Sequence, residues 1–156
     1  MKSILINDTT KAGCRTMIEY GNEITAEEYL ELRRLVGWME FPLEEAQAGL
    51  DNAYYVVSVR DEGRAIGVMR LLWDGGYIAF ISDVIVAPDY QGQGIGRKLV
   101  ELCIDRVKAD MKPGYKVKIN LMAAKGKEPF YEKFGFLERP NDKTGAGMDQ
   151  WFFADL

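Results

Sequence analysis

The sequence predicts a mixed α/β fold, a sheet with helices packed on it. Three observations predict it. Apolar runs between Ala53 and Val86 are broken by Asp61-Glu62-Gly63 and Asp74-Gly75-Gly76, turn signals that join hairpin strands. A segment of helical period follows, from Gly94 to Met111. The chain then alternates between strand and helix, and strands first followed by strand–helix–strand–helix–strand is the order of a mixed sheet.

The elements follow in order. Arg15 to Glu19 predicts a first strand. Ala26 to Val36 predicts a helix with Thr25 as N-cap and Tyr29, Leu30, Leu32, Leu35 and Val36 apolar. Leu43 to Ala48 predicts a second helix, started by Pro42 and stopped by Gly49. Ala53 to Arg60, Ala65 to Trp73 and Tyr77 to Val86 predict a three-strand meander. In Gly94 to Met111 the apolar positions Ile95, Leu99, Leu102, Cys103, Val107 and Met111 step by threes and fours, and Pro113-Gly114 ends the helix. Val117 to Met122 predicts a strand, Glu128 to Phe134 a short helix with Pro129 in its first turn, and Met148 to Phe153 a final strand.

A chain of 156 residues holds one sizeable core, so residues 1–156 are read as a single domain. No apolar run reaches the roughly 18 residues of a membrane span, and Met1 to Asn7 is no signal peptide. Cys14 and Cys103 follow no disulfide or metal pattern, which predicts reduced thiols in a cytoplasmic protein. The chain contains no histidine, which excludes Ser-His and Cys-His nucleophiles and histidine metal sites; no metal is expected. A net charge of −4 argues against nucleic acid as the main partner. That charge is unevenly spread. Glu19 to Asp51 holds nine acids against Arg33 and Arg34, whereas Arg97 to Lys133 holds ten bases against five acids. Either two helices present solvated faces, or the first half meets a cation and the second an anion. Nothing decides the oligomeric state, and a homodimer stays open.

The segment Val84-Ile85-Val86-Ala87-Pro88-Asp89-Tyr90-Gln91-Gly92-Gln93-Gly94-Ile95-Gly96-Arg97 reads as a strand, a proline-terminated edge and a glycine loop opening a helix. Such a loop aims several backbone N–H groups at one spot where the helix dipole is positive, an anion site suited to a pyrophosphate. It is no dinucleotide fingerprint, because Arg97 stands where the third glycine is needed, and no P-loop, because Gly96 is followed by Arg97-Lys98-Leu99.

With Val86-Ala87-Pro88 before Gln91-Gly92-Gln93-Gly94-Ile95-Gly96, and Tyr131-Glu132-Lys133-Phe134-Gly135-Phe136 further on, the chain resembles the GNAT superfamily of N-acetyltransferases from about Arg15 onward. The resemblance implies a mixed central sheet of six or seven strands flanked by about four helices, with a splayed strand pair at the cofactor site. It implies acetyl-CoA as co-substrate, its pyrophosphate on the backbone N–H groups from Gln91 to Arg97 and its pantetheine arm on Val84, Ile85 and Val86. Lys98, Lys125 or Lys127 would meet the ribose phosphate, or serve as surface lysines. Many members carry asparagine where this chain has Ala124, so one cofactor hydrogen bond is missing from the pattern.

A primary amine attacking a thioester needs a neutral amine, a polarised carbonyl and a thiolate able to leave. The resemblance implies a backbone N–H near Ile85 for the carbonyl and Tyr131 as the acid, unless Tyr131 only packs on the sheet. Asp83 or Glu40 would accept the amine proton through water, unless Asp83 only pairs with an arginine and Glu40 is only exposed. Trp38, Met39 and Phe41 lie where the family builds its acceptor pocket, and Met148 lies in a glycine-rich tail similar to that of arylalkylamine acetyltransferases. With the acidic first half, this favours a small cationic amine. A protein lysine or N-terminal acetyltransferase and a non-catalytic acetyl-CoA-binding module are the two other readings.

Overall fold

The computed structural model describes residues 4–5 and 17–153. Cys14, Arg15 and Thr16 lie outside the described residues, so the predicted first strand is described only from its second half onward. The chain divides into two compact units, Met1–Asn120 and Leu121–Leu156.

The first unit is built on a sheet whose spatial order is its chain order. β1 (Ile4–Leu5), β2 (Ile18–Gly21), β3 (Tyr55–Asp61), β4 (Arg64–Trp73) and β5 (Ile78–Val86) pair antiparallel in turn. β6 (Lys118–Leu121) completes the six strands. The Lys118 N–H donates to the Tyr77 carbonyl at 2.7 Å, and the Asn120 side-chain amide to the Ala79 carbonyl at 3.4 Å. Partners advance together along both strands, so this pair is parallel and the sheet is mixed, as predicted. β6 ends at Leu121, while β5 runs on to Val86. The meander turn puts Glu62 at φ 47° and Gly63 at φ 80°, the two left-handed positions of a type I′ hairpin.

Helix α1 (Ala26–Leu35) starts at a capping box, in which Thr25 Oγ1 accepts from the Glu28 N–H and the Glu28 carboxylate accepts from the Thr25 N–H. Glu28 also takes both arms of Arg60, at 2.6 and 2.7 Å, and so ties the helix start to β3. Helix α2 (Leu43–Asp51) runs through Gly49, which was expected to stop it. The glycine serves close approach instead: Arg70 Nη1 donates to the Gly49 carbonyl at 2.6 Å, and a Cβ on Gly49 would stand 2.7 Å from that nitrogen. Both helices lie on the sheet face that carries Arg70 and Asp83. Helix α3 (Ile95–Asp110) covers the other face, where Arg106 stacks over Tyr55, the partner of Leu71. Covered on both sides, β4 reads as a continuous buried run, Ile66 to Met69, without alternation.

β5 contains the feature that sets the site. Its register against β4 runs Leu71 with Ile81 but Arg70 with Asp83, leaving Ser82 as the extra residue of a β-bulge.

The second unit holds helix α4 (Glu128–Glu132) and an aromatic cluster of Phe130, Tyr131, Phe134 and Phe136 with neighbouring ring centroids 4.9–6.1 Å apart. The predicted strand over residues 148–153 is absent. That segment has no regular structure, and Met148, Trp151, Phe152 and Phe153 are exposed. The reason is local: three consecutive aromatics choose no face, and a strand needs a ladder partner that residues 122–153 do not contain beyond the isolated Asn141–Thr144 bridge. Among the described residues no helix is long and apolar enough to cross a membrane.

The Arg60 hydrogen bonds hold the Glu28 carboxyl below the usual carboxylate range. A carboxylate depressed on folding contributes stability above its unfolded pKa and loses it as pH falls through the folded value. Glu28→Gln is therefore expected to cost about 1 kcal/mol at pH 7, solvent screening allowed for. In urea titrations across pH the difference from the parent should close on the acid side of the carboxylate range.

Candidate functional site

The Ala87 N–H donates to the Ile66 carbonyl of β4 at 2.8 Å. Backbone groups alternate along a strand, so Ala87, Ile85 and Asp83 face β4 while Val84 and Val86 face the opposite edge. Gln91 Nε2 confirms that direction by donating to the Val86 carbonyl at 2.9 Å. The bulge at Ser82 is what creates this phase, since before it the residues facing β6 are Tyr77 and Ala79. The expected carbonyl donor near Ile85 is corrected accordingly. The Ile85 amide belongs to the ladder with Val68, and the edge donors are Val84 and Val86.

A 3-10 turn, Pro88–Tyr90, carries the chain from β5 into the glycine loop. The loop's polar side chains brace it: Tyr90 Oη donates to Asp61 Oδ2 at 2.7 Å, and Gln93 Nε2 to the Asp89 carbonyl at 3.1 Å. The Gln91 amide, one of the predicted anion donors, is taken by the Pro88 carbonyl. Gly92 at φ 76° and Gly94 at φ 84° turn the chain through conformations that side-chain-bearing residues rarely adopt. The first bond of α3 runs from the Lys98 N–H to the Gly94 carbonyl, 3.0 Å. Among the described residues no protein group accepts from the N–H groups of residues 92–97. Six consecutive donors thus open at the positive end of a sixteen-residue helix. Apart from chain neighbours, no atom comes within 4 Å of a Cβ built on Gly92 or Gly94, so the space over these two positions is open. This donor set fits a pyrophosphate. Because Gly94 is left-handed, a valine there would strain the backbone with or without a ligand.

Asp83 is 5% exposed and both its oxygens are filled. Oδ1 accepts from Arg33 Nη1 at 3.1 Å; Oδ2 accepts from Arg70 Nε at 2.6 Å and Tyr29 Oη at 3.0 Å. Three donors, two of them guanidinium groups, hold this carboxylate in a buried cluster, so the structure makes the candidate base Asp83 an ion-pair centre. Burial, then the charge of Asp83, raises the Tyr29 pKa. Trp38 and Phe41 reach the same cluster, their rings 5.2 and 4.4 Å from the Arg33 guanidinium carbon. Glu40 lies exposed beside them, paired with Arg34 at 2.9 Å.

In the second unit Tyr131 is half-buried in the aromatic cluster, and burial pushes its hydroxyl pKa up. Lys125 and Lys127 are exposed in the turn before α4, and Met148 is exposed in the tail. Lys98 lies half-buried on α3. A separate groove of about 390 Å³, lined by Asn22, Glu23, Gln47, Asp51 and Arg60 among others, shares no residue with the predicted site.

Sequence reading missed Arg33 and Arg70. Both carried a signal: Arg33 falls four residues after Tyr29 on the buried stripe of α1, and Arg70 interrupts the apolar run of β4. A charge in an apolar pattern requires a partner, and Asp83 interrupts the next strand in the same way.

The model of the "Acetyltransferase (GNAT) family" matches residues 18–136. An "Uncharacterized N-acetyltransferase ycf52" of Pyropia yezoensis is 30% identical over 115 residues, covering 70% of this chain and 63% of its own length. A "Histone acetyltransferase TAP1" of Glycine max is 31% identical over 155 residues, covering 91% of this chain and 65% of its own. The chain thus spans less than two thirds of either relative. Among solved structures, a Staphylococcus aureus protein of unknown function described as "Probable Acetyltransferase" superposes with a TM-score of 0.77 at 30% identity, covering 86% of this chain and all of the other.

The buried ion pairs of Asp83 predict a stability effect. Asp83→Asn leaves the buried Arg33 and the half-buried Arg70 without their counter-charge and is expected to cost about 3–5 kcal/mol, read from urea denaturation. Undiminished stability with lost activity would return Asp83 to the role of base.

Proposed function

The chain belongs to the GNAT acetyltransferase family, a family of acetyl-transferring enzymes, and from that premise we propose that it acetylates the primary amine of a small cationic molecule with acetyl-CoA. The observation that carries the cofactor half is the row of unaccepted N–H groups over residues 92–97, opening beside the Val84 and Val86 edge. The acceptor half rests on charge: nine carboxylates against two arginines from Glu19 to Asp51 suit a cation.

Acetyl-CoA, when bound, supplies an acetyl group already activated as a thioester. The amides of residues 92–97 would hold its pyrophosphate, with Lys98, Lys125 or Lys127 toward the ribose phosphate. The edge groups of Val84 and Val86 would bond the pantetheine arm and offer an N–H to the thioester carbonyl. With Asp83 occupied, the amine proton passes to water or to Glu40, whose Oε2 has no protein donor among the described residues. Tyr131 is assigned the acid role by the family pattern around Gly135 and Phe136, and its raised pKa keeps its proton available to the departing thiolate.

The Glycine max relative favours a second reading, in which the cationic acceptor is a protein lysine. Thiol release measured with polyamines, arylalkylamines, aminosugars and lysine peptides decides between them. Turnover confined to the peptides overturns the small-amine reading, and binding without any turnover makes the protein a carrier of acetyl-CoA.

Two variants test the assigned roles. Arg97→Glu places a carboxylate in the first turn of α3, where the helix dipole favours it, so stability is expected to stay within about 1 kcal/mol of the parent. The same charge opposes a pyrophosphate, and calorimetric acetyl-CoA affinity is expected to fall by about tenfold or more. Undiminished affinity would exclude this loop as the phosphate site. Tyr131→Phe keeps the ring and its packing while removing the proton. A thiol of pKa about 8.5 is a fair leaving group unaided, so the loss of kcat is expected near the lower end of the usual range for an acid, about 10²-fold. Unchanged kcat with chemistry rate-limiting would make Tyr131 a packing residue.

A further inference from the structure

We infer that Arg33 is the positioning residue of the acceptor side: its guanidinium holds residues 36–42 in one arrangement against the sheet and so fixes Trp38 and Phe41. The inference rests on the reading that these two aromatics line the acceptor pocket. Arg33 is 7% exposed and works in three ways at once. Its Nη1 donates to Asp83 Oδ1 at 3.1 Å and to Tyr29 Oη at 3.2 Å. Its Nε donates to the Met39 carbonyl at 3.1 Å. Its planar group lies against Phe41 and Trp38, at 4.4 and 5.2 Å from their centroids.

The segment has little else to hold it. The chain leaves α1 through turn bonds from the Val36, Gly37 and Trp38 amides, with Gly37 left-handed at φ 73°. Beyond Trp38, the backbone of Met39, Glu40 and Phe41 makes one hydrogen bond among the described residues, the one that Arg33 supplies. The surface pair Arg34–Glu40 adds little, because both partners are exposed. Arg33 also registers the segment to the donor edge. Its carboxylate partner is the residue before Val84, and the other arginine on that carboxylate, Arg70, reaches the bulge residue Ser82 through Nη2 at 3.1 Å. One guanidinium thus sets the aromatic segment relative to the strand whose amides face the open edge.

Lysine cannot replace it. An ammonium group keeps the charge opposite Asp83 but has neither a fork to reach Met39 at the same time nor a flat face for the aromatics. Arg33→Lys therefore separates positioning from charge balance. The experiment uses the full chain with Trp73→Phe and Trp151→Phe, so that Trp38 is the remaining one of three tryptophans. Acrylamide quenching of Trp38 is measured with acetyl-CoA affinity, melting temperature, and kcat and KM for phenethylamine and spermidine. Arg33→Lys is expected to raise quenching and to lower kcat/KM for the amine by about 10–100-fold, the scale of a displaced positioning group, while acetyl-CoA affinity holds. Quenching and amine KM unchanged beside a lowered melting temperature would overturn the inference and leave Arg33 a structural residue. Should Arg33→Lys fail to fold, Phe41→Leu removes one stacked face without touching the Asp83 pair, and unchanged quenching in it overturns the inference equally. Trp38→Ala separates the two readings. If it leaves amine KM unaltered, or if neither amine is turned over, the small-amine pocket is what fails, and quenching alone decides the role of Arg33.

Discussion

Asp83, Arg33 and Arg70 meet between α1 and the sheet, three charges on adjoining elements that each would be costly to bury alone. A lone buried ion loses several kcal/mol of hydration, and attraction returns it only where geometry is good and the remaining donors and acceptors are filled. Here they are filled from four directions. Tyr29 shares the carboxylate, Gly49 gives its carbonyl to Arg70, Met39 gives its carbonyl to Arg33, and Ser82 takes the outer arm of Arg70. Satisfying one carboxylate therefore positions α1, α2, the segment between them and the bulge in β5. The cluster has two positive charges to one negative, which suits a place next to an acidic chain half better than it would suit a neutral core.

The bulge has a consequence one layer further out. An even strand would have kept the odd-numbered residues of β5 facing β6, with Val84 and Val86 bonded into β4. The extra residue at Ser82 exchanges the roles, and backbone donors appear at the edge where β6 has ended. The glycine loop continues from the same strand through a single 3-10 turn, so edge donors and loop donors are held to one another by covalent geometry and by Tyr90, Gln91 and Gln93 bonding back onto the turn and strand end. An anion site of this kind needs no charged side chain at its centre. It needs peptide groups kept from pairing with protein, and the glycines at positive φ accomplish that.

Family membership and structure agree most closely at the backbone donors of the glycine loop, and inform least about the side chains that would choose the acceptor. The histone acetyltransferase of Glycine max and the N-acetyltransferase of Pyropia yezoensis are about equally similar to this chain. Trp38 and Phe41, which the proposal places at the acceptor, lie on a short connection that little besides Arg33 restrains. A cationic acceptor is the common ground between the two proposed readings, a small amine and a protein lysine.

Much of the fold was legible in the residues alone. Apolar runs set off by turn signals located three meander strands, a period-3.6 pattern located α3, Thr25 marked the start of α1, and the Gln91–Gly96 pattern located the loop, because these depend on neighbours within a few positions. Four matters were decided only by tertiary structure. Gly49 reads as a helix stop but yields to Arg70, twenty-one residues away. Asp83 reads as a base until two arginines from other elements are found paired with it. The donor near Ile85 shifts to Val84 and Val86, since the phase of a strand depends on a bulge that exists only in the register with β4. The tail Met148 to Phe153 reads as a strand, yet a strand is a pairing and not a property of its own residues. Local sequence determined where helices, turns and the anion loop begin; which lone pairs and which amides remain free was settled by partners distant in the chain, whose approach no local pattern encodes.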